Sequence, residues 1–206
     1  MKKVLATFNS ESYQELADIT IPLKQRYAEK WEYDFHSRVF DGNMERIGWY
    51  RFVEILNLLE NYDEVFWLDC DAVIMNSAKR ADIITGDLIC TADLHGLNTG
   101  VMIARSVPIV KQLFWVITGG YGIEHFGNHP WGEQAALIHL LSMPPYDRLL
   151  NCVPQRRMNS YLRDAYSVMP DYIAGNYEPG DFIIQLAGLP YSQRVSLARD
   201  LAASAS

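Results

Sequence analysis

At 206 residues, 49% hydrophobic and 21% charged, the chain suits one domain with a substantial core and is too apolar for disorder. Its formal net charge of −7 argues against a nucleic-acid surface, which would need a basic face. No stretch approaches the roughly 20 apolar residues of a membrane span. Met1-Lys2-Lys3 before Val4–Phe8 imitates a secretory leader, but the apolar stretch is too short for one. The three cysteines, Cys70, Cys90 and Cys152, are odd in number and widely spaced, each in or beside an apolar run. They read as buried free thiols rather than disulfides or a zinc site, which favours a soluble, cytoplasmic protein.

The first predicted strand is Lys3–Phe8, ending in the small polar groups of Thr7-Phe8-Asn9-Ser10. Ser10 or Ser12 is placed to cap a helix running to about Glu29, with Leu16, Ile19, Leu23 and Tyr27 on one face and Pro22 as a kink or division. Glu32–Arg38 alternates as a second strand, and Asn43–Asn61 follows the helical period. Val65–Leu68, four apolar residues bounded by charge, reads as a strand buried on both faces. Three strands alternating with two helices describe a doubly wound, mostly parallel α/β sheet.

The second half changes character. Asp87–Ala92 and Gly100–Ala104 are expected strands joined by a polar link, residues 93–99. Pro108 opens a helix through Ile117, and Gly119-Gly120-Tyr121-Gly122 suggests a flexible loop carrying His125 and His129. Pro130-Trp131-Gly132-Glu133 introduces a helix, Gln134–Leu141, which Pro144-Pro145 terminates. Short strands are expected at Leu149–Val153, Ser167–Met169 and Asp181–Leu186, forming a small mixed sheet region, before a last helix over Ser192–Leu201 and a fraying tail. Neither an internal repeat nor an interdomain linker is visible, so residues 1–206 form a single domain. Its parts divide at about residues 96 and 190: 1–96, 97–190 and 191–206.

The chemistry concentrates at Asp69-Cys70-Asp71, directly after the buried strand. Ligands of open α/β sheets bind beyond the carboxyl ends of their strands. In an extended backbone Asp69 and Asp71 point the same way, and paired carboxylates suit a hard divalent cation shared with a substrate phosphate. The tripeptide alone is weak, since about one D-x-D is expected by chance in a chain of this composition. The competing reading is a helix cap. Thr7, Phe8 and Asn9 at the first strand end are expected to line a nucleotide pocket, although small polar residues also serve as ordinary turn caps. Twelve tyrosines and five tryptophans suit sugar rings, but core packing is their commonest use.

Several blocks then occur in a recognisable order: Trp49-Tyr50-Arg51, residues 65–76 around the two aspartates, Leu97-Asn98-Thr99-Gly100-Val101 and Glu133-Gln134-Ala135-Ala136-Leu137. Val153-Pro154-Gln155, Met158-Asn159-Ser160-Tyr161 and Gly180-Asp181-Phe182-Ile183-Ile184-Gln185-Leu186-Ala187-Gly188 complete the series. Together they resemble the Golgi-type α-galactosyl/mannosyl/xylosyltransferase family of GT-A fold, over roughly Trp49–Gly188. The resemblance implies a metal-dependent, retaining glycosyltransferase that uses a nucleotide-diphosphate sugar and a glycan acceptor. Residues 1–96 would form its nucleotide-binding half and 97–190 its acceptor half. It assigns Mn²⁺ (or Mg²⁺) to Asp69 and Asp71, with Asp71 the direct ligand and Asp69 a ligand or a ribose contact. Donor contacts fall to Arg51, Asp69 and Asn98, beside Thr7, Phe8 and Asn9 at the first strand end, and the catalytic positions are Glu133 and Gln134.

Two departures from that pattern stand out. Gln185 holds the place of a metal-binding His, so the third ligand is a neutral amide, with His95 a possible substitute. Leu189-Pro190 stands where relatives place a Lys for the diphosphate, leaving Arg51 or Arg194 to supply that charge. The alternatives are a nucleotidyltransferase, disfavoured because no Gly-rich basic loop follows the first strand, and a glycan-binding module without activity.

Overall fold

The structure is a computed structural model describing residues 1–42, 47–93, 95–162 and 175–205. Strand β1 (Lys3–Ser10) is buried along almost its whole length. A single turn of 3₁₀ helix, Glu11–Tyr13, leads into helix α1 (Gln14–Lys30). No side chain caps this entry, because the Ser10 hydroxyl meets that of Ser12 at 2.9 Å instead. Helix α1 passes through Pro22 undivided. The proline and Asp18, whose carbonyl loses its N–H donor, both lie on the exposed side, so the orphaned group need not be buried unpaired.

Strand β2 (Asp34–Phe40) pairs parallel with β1 at the sheet edge. Helix α2 (Ile47–Leu58) follows, the expected residues before it lying outside the described set. It buries Trp49, Arg51, Phe52, Glu54 and Ile55, so the face turned inward carries two charged groups. Glu54 is answered by His36 at 2.7 Å and Arg38 at 3.2 Å on β2. Strand β3 (Glu64–Leu68) is buried throughout and pairs parallel with β1, as its unbroken apolar run requires.

Beyond β3 the chain leaves this sheet. Strand β4 (Ala72–Ile74) joins a second one, while β5 (Leu88–Asp93) and β6 (Gly96–Arg105) return to the first as an antiparallel pair. The expected polar link at 93–99 is therefore mostly strand: Gly96, Leu97 and Asn98 pair with Asp93, Ala92 and Thr91. Helix α3 (Pro108–Thr118) is followed by α4 (Tyr121–Phe126) in place of the expected glycine-rich loop, then by α5 (Gly132–Leu141). Next come β7 (Leu150–Val153), α6 (Gln155–Met158), β8 (Ser160–Tyr161), β9 (Ile183–Gln185) and α7 (Tyr191–Ser204). The strand expected at Ser167–Met169 lies outside the described residues.

Among the described residues, six strands form the large sheet in the order β2-β1-β3-β6-β5-β7, and three form the small one, β4-β9-β8. Parallel pairs predominate in the large sheet, with β6 running antiparallel to both neighbours. Apolar layers cover it on both faces, one built with α2, α3 and α5 and the other with α1 and the small sheet. A third cluster joins α1, α7 and the small sheet. Cys70 and Cys90 are buried, whereas Cys152, on the edge strand β7, is exposed against expectation; all three are free thiols. No helix among the described residues is long and apolar enough to cross a membrane.

Candidate active site

Asp69, Cys70 and Asp71 bridge the two sheets. The backbone does not stay extended after β3. It turns, with the Ala72 N–H donating to the Asp69 carbonyl at 3.0 Å. The large sheet pins one side, where the Asp69 N–H donates to the Gly100 carbonyl at 2.8 Å; the small sheet pins the other, where the Leu186 N–H donates to the Asp71 carbonyl at 3.0 Å. The two carboxylates nevertheless open on one cavity of about 200 Å³, lined also by Phe8, Asn9, Tyr13, Arg51 and Arg194. Convergence comes from a turn between sheets, not from strand alternation.

Each carboxylate already has an arginine. Arg51 on α2 donates from Nη2 to Asp69 Oδ2 at 3.0 Å, and Arg194 on α7 donates from Nη1 to Asp71 Oδ2 at 3.0 Å. Trp67 Nε1 donates to the other Asp69 oxygen at 2.8 Å, and Gln185 Nε2 to the other Asp71 oxygen at 3.2 Å. Burial raises the Asp69 carboxyl above the usual carboxylate range; Arg51 opposes that shift and the Asp71 charge adds to it. Arg51 also donates to the Thr99 hydroxyl and lies 3.8 Å from Glu133 Oε1, while its buried Nε has no hydrogen-bond partner among the described residues.

Lys24, which the sequence reading passed over, sits under this turn. Fully buried on α1, its ammonium donates to the Asp69 carbonyl at 2.8 Å and the Cys70 carbonyl at 3.2 Å. Burial pushes its pKa down, against the charges of Cys70, Asp71 and Asp69. The signal in the sequence was a lysine at the helical spacing of Leu16, Thr20, Leu23 and Tyr27, where an apolar residue is the norm.

The remaining expected residues divide. Phe8 and Asn9 line the cavity, whereas the Thr7 hydroxyl lies behind it, 3.4 Å from Lys24. Asn98 is tied inward: its amide nitrogen donates to Asp93 and Tyr161, and its oxygen accepts from the Gly100 N–H at 2.8 Å and from Asn159 at 2.9 Å. Asn159 donates in turn to Gln185 Oε1 at 2.9 Å, so a polar chain runs from Asp93 to Asp71. Gln185 therefore presents nitrogen, not oxygen, to Asp71. Glu133 and Gln134 line a neighbouring cleft with Trp49, His129 and Trp131. Glu133 packs so closely over Gly48 that a β-carbon there would overlap its carboxylate. His95 packs against Trp131 with tilted rings, centroids 4.7 Å apart, and does not line the aspartate cavity. Among the described residues no three His, Cys, Asp or Glu side chains group as metal ligands.

The model of the galactosyl transferase GMA12/MNN10 family matches residues 78–195, more than half of the chain and inclusive of Asn98, Glu133, Gln134, Gln185 and Arg194. The chain belongs to this family. It is a glycosyltransferase. No curated protein sequence matches it. Among solved structures, a glycosyltransferase involved in the glycosylation of the major capsid of PBCV-1 superposes with a TM-score of 0.74 at 14% identity, covering 97% of this chain and all of that one. The galactosyltransferase LgtC, in complex with donor and acceptor sugar analogs, gives 0.66 at 14% identity, covering 98% and 96%. GlyE of Streptococcus pneumoniae TIGR4 gives 0.59 at 13% identity, covering 97% of this chain and 63% of that one. At such identities the likeness establishes the GT-A fold; membership of the family establishes sugar transfer.

Proposed function

We propose that this glycosyltransferase moves a hexose or pentose from a nucleotide-diphosphate donor to a hydroxyl of a glycan, with retention of anomeric configuration and a divalent cation, Mn²⁺ or Mg²⁺. The carrying observation is that Asp69, Asp71, Arg51 and Arg194 converge on one cavity at the carboxyl end of β3, where α/β sheets bind their ligands. The nucleotide would lie against Phe8, Asn9 and Tyr13, and its diphosphate between the two arginines, whose planar forks suit phosphate oxygens. The net charge of −7 argues against nucleic acid as a partner, and three free thiols suit a reducing, cytoplasmic setting.

The residues fit a cation shared with the donor rather than one held permanently. Two carboxylates together with substrate phosphates are a usual ligand set for Mg²⁺, whereas the Gln185 amide oxygen is turned to Asn159. Asp69 and Asp71 would hold the ion, and the chemistry it supplies when bound is neutralisation of charge on the departing diphosphate. In the transfer the bond from the anomeric carbon to the diphosphate oxygen breaks and one to the acceptor oxygen forms. The acceptor proton passes to the leaving diphosphate on the same face, so no separate base is needed. Gln134 would steady positive charge at the anomeric carbon through its amide oxygen, and Glu133, anchored by Arg51, would support that helix end.

A donor panel tests the reading. Nucleotide-diphosphate release is measured for UDP-, GDP- and other nucleotide-activated sugars with MnCl₂ and a mixture of glycan acceptors. One donor turned over faster with acceptor than without supports it. No turnover of any donor, alongside retained glycan binding, would overturn it.

A further inference from the structure

Besides lining the cavity, the four charged groups are paired off. Arg51 is spent on Asp69 and Arg194 on Asp71, each through one hydrogen bond of 3.0 Å. A diphosphate arriving alone finds each guanidinium already paired with a carboxylate, and a cation arriving alone finds each carboxylate already paired with an arginine. Either must break ion pairs that are largely shielded from water: exposure is 11% and 23% for Arg51 and Asp69, 19% and 9% for Arg194 and Asp71. Leaving one partner of such a pair uncompensated is costly. When both ligands arrive, no charge is stranded, because the arginines exchange carboxylate for phosphate and the carboxylates exchange arginine for cation.

We propose that Arg51 and Arg194 act as exchange partners that make nucleotide diphosphate and divalent cation bind together, each raising the affinity of the other. This rests on the donor reading above and adds the means by which the pocket rejects either half of its ligand. Arg194 is the better placed of the two to move. Its helix starts one residue after Pro190, its Nε holds the Leu189 carbonyl at 2.8 Å, and its guanidinium lies 5.9 Å from the Tyr13 ring centroid on the cavity wall. Arg51 is held by the Thr99 hydroxyl as well as by Asp69 and stands 3.8 Å from Glu133, so its release from Asp69 leaves it anchored at the cavity. Its buried Nε is a further donor with no hydrogen-bond partner among the described residues.

The exchange predicts effects of opposite sign from one substitution. Arg194→Gln removes the competitor of the cation at Asp71 and a ligand of the phosphate. Calorimetric titrations with MnCl₂ alone, with UDP, GDP, CDP and ADP alone, and with each nucleotide at saturating MnCl₂ separate these effects. In the wild-type protein one nucleotide should bind at least about tenfold tighter with Mn²⁺ than without, within the usual range of coupling between two ligands. In Arg194→Gln, Mn²⁺ alone should bind several-fold tighter, the nucleotide alone several-fold weaker, and their coupling should shrink. Arg194→Lys, which keeps the charge, should retain the coupling in part.

A purely structural role for Arg194 would weaken both ligands together, and that result, or unchanged Mn²⁺ affinity in the variant, overturns the exchange while leaving the donor reading intact. Failure of every nucleotide to bind wild-type protein, with or without Mn²⁺, overturns both. Thermal unfolding of each variant establishes that it is folded. Should Arg194→Gln not fold, the same titrations on Arg194→Lys decide: coupling equal to wild type with unaltered single-ligand affinities would count against the exchange.

Discussion

Gln185 turns its amide nitrogen to Asp71, 3.2 Å from Oδ1, and gives its oxygen to Asn159 at 2.9 Å. The side chain lies over Gly100, where a β-carbon would overlap the amide, so the glycine makes room for it while the hydrogen bonds to Asp71 and Asn159 set which end faces which partner. As it stands, Gln185 restrains Asp71 and offers the cavity no lone pair. Gln185→His supplies a ring nitrogen beside the two carboxylates. Mn²⁺, a first-row transition ion, accepts an imidazole nitrogen more readily than Mg²⁺, which keeps to oxygen ligands. The variant should therefore bind Mn²⁺ several-fold tighter and Mg²⁺ no tighter, as read by calorimetry with each chloride. Equal gains for both ions would mean that the substitution merely releases Asp71.

Asp71→Asn removes one of the two charges available to a cation and leaves Arg194 without its partner. Mn²⁺ should then cease to enhance nucleotide-diphosphate binding, while the nucleotide alone binds at least as well as to wild type, since Arg194 no longer has to leave an ion pair. Titration of both ligands in the variant checks this. Retention of wild-type Mn²⁺ enhancement would place the cation elsewhere.

Lys24→Met exchanges a buried ammonium for an apolar chain of similar length. Both carbonyls it serves keep another donor: the Ala72 N–H for Asp69 and the Thr20 hydroxyl for Cys70. Replacing a buried charge whose partners stay satisfied is often close to neutral, so the unfolding free energy should change by no more than about 1 kcal/mol. Nucleotide binding should still weaken, because a positive charge beneath the phosphate site is gone. Denaturant unfolding and nucleotide titration are the paired measurements. A stability loss above about 3 kcal/mol, the size of a broken buried ion pair, would show that Lys24 holds the turn itself.

What the sequence revealed of this site followed period and order, and what it hid followed from three-dimensional pairing. Val65–Leu68 announced a strand buried on both faces because four apolar residues in a row admit little else. The alternation from β1 to β3 was legible for the same reason. The helical period over Asn43–Asn61 marked α2, which contains Trp49-Tyr50-Arg51, yet that Arg51 meets Asp69, 18 residues on, is a matter of how α2 lies against β3. Arg194 and Asp71 are 123 residues apart and meet because α7 packs beside α1 and the small sheet. The polar link at 93–99 was misread because Asn98 and Thr99 look like loop residues, but their side chains are absorbed by Asp93, Tyr161, Asn159 and Arg51. The α4 segment was misread because four glycine-rich positions suggest a break where packing supplies a helix.

The proposed stereochemical course is tested at Glu133 and Gln134. An inverting enzyme needs a carboxylate opposite the leaving group to take the acceptor proton, a role generally worth 10²–10⁴ in rate. Glu133 is the carboxylate at hand, but it is engaged: Arg51 stands 3.8 Å from Oε1 and Gly48 closes over it. A group held this way suits the support of α5 and of Arg51 better than proton transfer. Glu133→Gln keeps the size and removes the charge, so it should lower turnover about tenfold or less, far short of the loss of a general base, and leave product stereochemistry unchanged. Gln134→Ala should cost more, because it removes the amide oxygen proposed to face the anomeric carbon. Proton NMR of the first product formed, read at the anomeric position, is the decisive measurement, made with the donor found active in the panel. A retained linkage, with Glu133→Gln still active, agrees with the arginine-anchored geometry. An inverted linkage together with loss of nearly all turnover in Glu133→Gln would make Glu133 the base and require Arg51 to release it during the reaction.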